Sequence, residues 1–337
     1  MGKISLEKKQ VKKAGSKMKI IKVLYELKNK LLNSPKKLSK NYYRKYKKYS
    51  FTQSKCKNER QYEASITKLY HSVEKGLSYI NYKPGFGKEN VNILILELKK
   101  HSQLYGTSAF FYQTALCVLN EYINKNKEYG HNDVELEKKI KMLNGSANEC
   151  GGILEFAPYD SESNFFDYEK FVKSRHSVRF FSENPVDESK IDKAIELAQY
   201  TPSACNRQGW MARVISNNDV KKAILANQNG NRGFGSKITN LIVVTGDLRC
   251  FSSSRELHQV FIDGGMYAMN ILHALHANGI ASIPLSASLT SQQEKNVRKI
   301  AKIDDFEVLI MFIGVGNFPQ RCVTTKSARR PCEIIKL

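Results

Sequence analysis

Two short segments decide the fold: Ser174-Arg175-His176-Ser177-Val178-Arg179-Phe180-Phe181, and Thr201-Pro202-Ser203-Ala204-Cys205-Asn206-Arg207-Gln208-Gly209-Trp210 one helix later. In an extended segment alternate residues share one face, so Arg175, Ser177 and Arg179 present two guanidinium groups and a hydroxyl to the same side. Such donors suit a phosphate group. The two arginines alone would be interpreted as surface salt-bridge residues.

In their order and spacing, the two segments resemble the FMN-dependent nitroreductase family over about residues 165–337. The resemblance implies an α+β fold with a mixed sheet flanked by helices. It implies that the flavin phosphate binds to Arg175, His176, Ser177 and Arg179. It also implies that Pro202, Ser203 and Ala204 contact the isoalloxazine ring through their backbone, while the Asn206 amide bonds the pyrimidine edge, which needs both a donor and an acceptor.

Three further segments resemble the family less closely. Asn231 falls where members often place a polar contact to the pyrimidine side of the flavin. Pro284, Leu285 and Ser286 correspond to the loop near N5, where this chain departs from many relatives by having Leu285-Ser286 in place of Glu-Gly. Near the C-terminus, residues 326–331 resemble the closing basic motif that returns to the phosphate, with Arg329 as the preferred ligand and Lys326 or Arg330 in reserve; the alternative is a plain basic tail.

The resemblance implies a hydride transfer from NADH or NADPH through FMN to an unidentified small-molecule acceptor, with no side chain as an obligatory acid or base. It also implies a homodimer with FMN at the interface, in which Ser203 and its neighbours serve the partner's flavin. Because the family also contains dehydrogenases and dehalogenases, nitro reduction is a family label rather than a prediction of the substrate.

Positive charge is concentrated at the N-terminus. The 337-residue chain has a formal charge of +22, and residues 1–60 hold 20 Lys and Arg against three acids, which leaves +5 for the rest. Within this basic arm, residues 18–33 place aliphatic side chains at helical spacing between lysines. Such a helix can lie on an anionic membrane surface or on a partner, or pack on its own protein with a solvated lysine face. The following segment, 35–57, has almost no aliphatic residues and predicts a mobile connector.

The remaining chain divides into two regions. Residues 61–160 show helical patterns over 62–77, 90–105, 108–125 and 134–143, which predict a small helical layer. Residues 165–337 alternate helices and strands, with strands predicted over 211–216, 241–245 and 308–314 and a long helix over 261–278 that ends at Gly279. Gly264 and Gly265 within this helix predict the close approach of another backbone.

Several other classes of protein are not supported by the sequence. The seven cysteines lack metal-ligand spacing and predict reduced thiols in the cytoplasm. The longest apolar run is far below the roughly 20 residues that span a bilayer, so we expect a protein that is cytoplasmic or peripheral at the inner face of the membrane. Gly314-Val315-Gly316 lacks the third glycine of a dinucleotide-binding fingerprint. A non-catalytic flavin-fold scaffold with a basic arm remains the alternative to an enzyme, and nucleic acid is a disfavoured partner.

Overall fold

The computed structural model describes residues 34–51, 56–154, 166–325, 327, 329 and 331–337. The predicted amphipathic helix over 18–33 lies outside these residues, as do Lys326 and Arg330.

Most of the predicted connector is a helix, α1, over Pro35–Tyr49. Pro35 stands in its first turn, where the missing N–H costs nothing. Tyr46 is only 2% exposed, and its hydroxyl donates to the Ser253 carbonyl over 2.6 Å. The prediction of a mobile connector was wrong because it counted aliphatic residues, whereas tyrosine rings bury a large apolar area here.

Four helices form the layer that the sequence predicted between residues 61 and 160. They are α2 (Glu59–Leu77), α3 (Lys88–Tyr105), α4 (Phe110–Glu128) and α5 (Val134–Lys141). The side chains of Asn58 and Asp133 cap α2 and α5 by accepting from the backbone of Gln61 and Leu136. Aliphatic and tyrosine side chains from these helices form a core of their own, which includes Ile66, Leu94, Leu98, Tyr112 and Leu119.

The C-terminal region alternates helices and strands. Its helices are α6 (Tyr168–Ser174), α7 (Glu188–Ala198), α8 (Asn218–Leu225), α9 (Gln259–Ala277) and α10 (Ser291–Ile300). Its strands are β1 (Trp210–Ile215), β2 (Asn240–Asp247), β3 (Ala281–Ser286) and β4 (Glu307–Gly316). Asp187 caps α7, and Gly279 has the positive φ expected after α9. The α+β class is confirmed.

The strands form one sheet in the order β1-β2-β4-β3, and every pair among the described strands is antiparallel. The expected mixed pairing is therefore absent from the described chain. The predicted loop over Pro284–Ser286 was also wrong, because these residues belong to strand β3. The strand accommodates Pro284 because it lies at an edge of the sheet, where one side of the backbone needs no ladder partner.

Helices cover both faces of the sheet. α7 and α9 pack on one face and α8 and α10 on the other, so all eight residues of β2 are buried. Gly264 of α9 faces β4, where a Cβ atom would stand 2.8 Å from the Ile310 side chain. The close approach predicted there is thus to a side chain and not to another backbone.

A fourth cluster joins the N-terminal helices to this sheet. Tyr46 of α1 and Ala64 of α2 pack with residues that follow β2 and with the start of β4. The shared members are Leu248, Cys250, Phe251, Val260 and Val308. The helical layer therefore contacts the C-terminal region through a small common core.

Candidate functional site

The predicted phosphate residues lie together in one cleft of about 660 Å³. Arg175, His176, Ser177 and Arg179 follow α6, and Arg329 reaches the same cleft from the C-terminus with Thr324, Thr325 and Ser327. The buried Val178 anchors the segment by donating its N–H to the Ser282 carbonyl of β3 over 3.0 Å. The Thr324 hydroxyl donates to the Ser177 carbonyl over 2.9 Å, which links the two ends of the region.

The cleft is cationic, and one of its donors is unused. Nη1 of Arg175 is buried without a hydrogen-bond partner. In the described part of the chain, neither Arg175 nor Arg179 forms an ion pair. A buried guanidinium N–H without an acceptor is costly, and an anion in the cleft would supply one. The residues present therefore fit a phosphate group.

Two histidines behind the cleft were missed by the sequence analysis. His273 and His276 stand one turn apart on α9, and His276 Nε2 lies 2.8 Å from the Ser174 hydroxyl. Burial lowers the pKa of both histidines, and the Arg175 charge lowers it further. Their spacing of three residues on the long helix was the available signal, but it did not indicate which residues they would meet.

Edge strand β3 carries the three residues predicted near N5 of the flavin, Pro284, Leu285 and Ser286. Ser282 and Ser286 are four residues apart, which corresponds to about 13 Å of strand. Leu285 is buried in the core, whereas Ser286 is exposed. Gln228 Nε2 donates to the Ser286 carbonyl over 3.0 Å. The Asn231 amide donates to the carbonyls of Leu225 and Gln228, so its N–H groups already hold this loop.

The loop with Pro202, Ser203, Ala204 and Asn206 has an unusual backbone. Cys205 and Asn206 have a φ of 53° and Gln208 has a φ of 48°. Non-glycine residues seldom adopt this left-handed conformation, and such strained residues cluster at functional sites. The Gln208 amide side chain donates to Asn206 Oδ1 over 3.1 Å, and the Gln208 N–H donates to the Ser203 hydroxyl over 3.0 Å.

Buried polar residues hold this loop in place. Arg207 Nε donates to the Ala204 carbonyl over 2.9 Å, and Nη1 donates to the Cys250 carbonyl over 3.0 Å. The same guanidinium forms a bidentate pair with Glu256. Burial alone would raise the pKa of Glu256, but the hydrogen bonds from Arg207 and a backbone N–H hold it below the ordinary value. The sequence analysis assigned no role to Arg207 because its ion-pair partner lies 49 residues away.

A carboxylate from α9 also reaches the loop. Asp263 Oδ2 accepts from the Ala204 N–H over 3.3 Å, and burial raises the pKa of this carboxyl. Behind the loop, the buried Trp210 stacks on Tyr267 with ring centroids 4.7 Å apart. Trp210 is thus part of the core, and the loop is supported from below by α9 and β1.

The two groups of predicted residues lie far apart within one chain. Ser174, next to Arg175, contacts His276, whereas Ala204 contacts Asp263. Thirteen positions of α9 separate His276 from Asp263, or about 20 Å. The 202–206 loop leads into β1 and the Arg175 segment bonds β3, and these strands form opposite edges of the sheet, three strand spacings or about 14 Å apart. Within one chain, the two groups of residues therefore lie at opposite edges of the sheet.

His71 and Glu74 of α2 form a contact within the helical layer. His71 Nδ1 lies 3.2 Å from Glu74 Oε2, and Glu74 also accepts the Gly152 N–H, so the pair fastens the end of the helical layer. In the described ranges no group of three or more His, Cys, Asp or Glu could hold a metal ion. All seven cysteines are free thiols. None of the described helices has the length and apolar character needed to cross a bilayer.

Comparison with known proteins agrees with the family resemblance. Residues 172–231 match the model of the Nitroreductase family, and similar proteins cover about the C-terminal half of the chain. A protein of Archaeoglobus fulgidus named "Putative NADH dehydrogenase/NAD(P)H nitroreductase" is 25% identical over 44% of this chain and 83% of its own length. The "Oxygen-insensitive NADPH nitroreductase" of Helicobacter pylori is 31% identical over 24% of this chain and 40% of its own length.

Solved structures give a similar coverage. The "FMN-dependent Nitroreductase" of Clostridium difficile is 18% identical, covers 47% of this chain and 92% of its own, and has a TM-score of 0.41.

Proposed function

Because its C-terminal half resembles the nitroreductase family, we propose that this chain is an FMN-dependent oxidoreductase using NADH or NADPH as reductant and a small molecule as acceptor. The comparisons support an oxidoreductase in general. FMN, when bound, would supply the redox chemistry by taking up two electrons as hydride and passing them on. The chain itself would bind the cofactor, orient it and shield it from water.

The buried, unpartnered Nη1 of Arg175 carries this proposal. The Arg175 side chain lines a cleft together with Arg179, Arg329 and Ser177, so a phosphate in this cleft would meet several cationic and hydroxyl donors. Two charged forks and a hydroxyl on a short segment suit a phosphate dianion better than a carboxylate, because a phosphate offers three acceptor oxygens. The exposed His176 stands at the mouth of the same cleft.

The remaining predicted residues would follow from the phosphate along the edge of the sheet. About 13 Å separate Ser282 from Ser286, which is enough for a ribityl chain to bring the ring to the end of β3. Pro284, Ser286 and the Asn231 loop would line this end. Lys326, which lies outside the described residues, would be a further phosphate ligand on the basis of the sequence.

A homodimer would complete the site. Since Pro202, Ser203, Ala204 and Asn206 lie on the far side of their own sheet, we propose that they contact the flavin held by the partner. An apolar stripe on α9 supports a second copy as the occupant of this face: Ile262, Met266 and Met269 recur on one side of the helix and are 41–54% exposed. Gly265 beside them has no atom within 4 Å of an added Cβ, which leaves room for a close helix partner.

The test starts with purified full-length protein. We expect a yellow protein that releases FMN on denaturation and bleaches anaerobically with NADH or NADPH. Arg175→Ala should lose FMN far more readily than Arg255→Ala, which removes an exposed arginine remote from the cleft. A colourless protein that cannot be reconstituted with FMN would refute the proposal. Bound flavin that neither nucleotide reduces would indicate the non-catalytic scaffold instead.

A further inference from the structure

A second concave site lies between α1 and α10, apart from the Arg175 cleft. It is a groove of about 650 Å³. Its apolar wall is formed by Leu38, Tyr42 and Phe261, and the rings of Tyr42 and Phe261 are 5.3 Å apart. Ala287, which directly follows β3, lines one end. The groove has the volume of a small-molecule site rather than the flat shape of a protein interface.

The rim of this groove is strongly cationic. Five cationic side chains line it, against the two carboxylates of Glu294 and Asp305. Both carboxylates are already engaged: Glu294 accepts from Arg298 Nε over 2.8 Å, and Asp305 accepts from the Tyr49 hydroxyl over 2.5 Å. Three positive charges are therefore in excess at the rim. The cations are Arg44, Lys45, Lys48, Lys295 and Arg298.

Two of the cations are available to a ligand. Arg44 and Lys295 are exposed and form no ion pair with any residue that the structure describes. They stand on different helices, Arg44 on α1 and Lys295 on α10, so they bracket the groove. Charges of one sign over an apolar wall focus the electrostatic field into the groove and attract the opposite charge.

Lys45 is a third cation of the groove, and its ammonium lies 3.9 Å from Asp305 Oδ1. Its side chain is 17% exposed, and its ammonium donates to the Glu307 carbonyl over 2.7 Å. Burial, and then the nearby Arg298 charge, lower the pKa of Lys45 to about 8. The negative charge of an anion in the groove would offset the repulsion by Arg298 and favour the charged form of the ammonium.

From these features we infer that the groove binds a small organic anion. Its acid group meets Arg44, Lys45 and Lys295, and its apolar or aromatic body lies on Tyr42 and Phe261. The site belongs to the junction of the N-terminal helices with the sheet, because α1 supplies one wall and three of the five cations. It does not depend on flavin binding, so it stands or falls separately from the proposed oxidoreductase.

A matched pair of double variants tests this site. Arg44→Glu/Lys295→Glu reverses two rim charges, and Lys47→Glu/Lys299→Glu reverses two exposed charges on the same helices outside the groove. Binding of 8-anilinonaphthalene-1-sulfonate to the full-length protein is measured by calorimetry, with the uncharged N-phenyl-1-naphthylamine as a second probe. We expect the rim variant to weaken the sulfonate about tenfold or more, with little change for the control variant or the uncharged probe.

Competitive acetylation of Lys45, followed by mass spectrometry, gives a second readout. Saturating sulfonate should slow acetylation of Lys45 severalfold and move its pH midpoint upward from about 8. If both double variants weakened sulfonate binding equally, the effect would come from the overall charge of the protein and not from this groove, and the inference would be overturned. An unprotected Lys45, or preferential binding of acidic peptides or anionic vesicles over the small sulfonate, would also overturn it.

Discussion

Replacing Arg207 by methionine should destabilise the protein by about 3 kcal/mol. The guanidinium is 1% exposed and the Glu256 side chain 20% exposed, so the variant leaves a largely buried carboxylate without its ion-pair partner. Removing one member of a buried pair costs about 3–5 kcal/mol, and the partial exposure of Glu256 places the cost at the lower end. The hydrogen bonds to the carbonyls of Ala204 and Cys250 are lost as well.

The assay is urea unfolding followed by tryptophan fluorescence. Trp210 is the single tryptophan of the chain and lies directly behind the 202–208 loop, so its emission reports on this region. Arg255→Met, at an exposed neighbouring arginine, is the control and should have little effect. The double variant Arg207→Met/Glu256→Gln should lose less than the sum of its single variants, because no charge is left unpaired. Additive losses, or equal stability of the Arg207 and Arg255 variants, would refute the reasoning.

Three further predictions concern assembly, pH and the basic arm. Met266→Asp should convert a dimer into monomers in analytical ultracentrifugation and reduce FMN retention; an unchanged mass would contradict the α9 interface. Burial raises the pKa of Glu307, but hydrogen bonds from Arg213 and Thr245 lower it more, so the free energy of unfolding should fall as the pH drops below the unfolded pKa of about 4.3 and on through the lower folded pKa. Glu307→Gln should make the free energy of unfolding, measured by urea titration, less dependent on pH in this range. The same pH dependence in both proteins would contradict this role of Glu307. Deleting residues 1–33 should abolish flotation with anionic liposomes if that segment binds membranes; equal flotation would exclude it.

The sequence predicted best where one local pattern was sufficient. Strand β2 contains a continuous apolar run, and helix α9 is a long apolar helix with Gly279 just beyond its end, so both lie close to their predicted positions. Arg175, Ser177 and Arg179 lie within five residues of one another, and the structure brings them to one cleft with Arg329. The family resemblance itself rested on these local motifs.

The features that were missed depend on contacts between distant segments. α1 is stable because Tyr46 packs against residues some 200 positions later in the chain. No periodic pattern of aliphatic side chains predicts this contact. β3 contains Pro284, which argues against a strand until the position at the sheet edge is known. Arg207 and Glu256 are far apart in sequence, so their pairing appears only in three dimensions.

The common core of Tyr46, Ala64, Cys250, Phe251 and Val260 bears on where the chain can be cut. A fragment that begins at residue 166 contains every residue predicted to contact the cofactor, yet it would expose Cys250 and Phe251 to solvent and lose Lys45, which donates to the Glu307 carbonyl. Regions that share buried contacts tend to open together, so α1 and α2 should melt in the same transition as the sheet. The segment that homology recognises is therefore shorter than the segment that folds, and expression boundaries are best placed before residue 34.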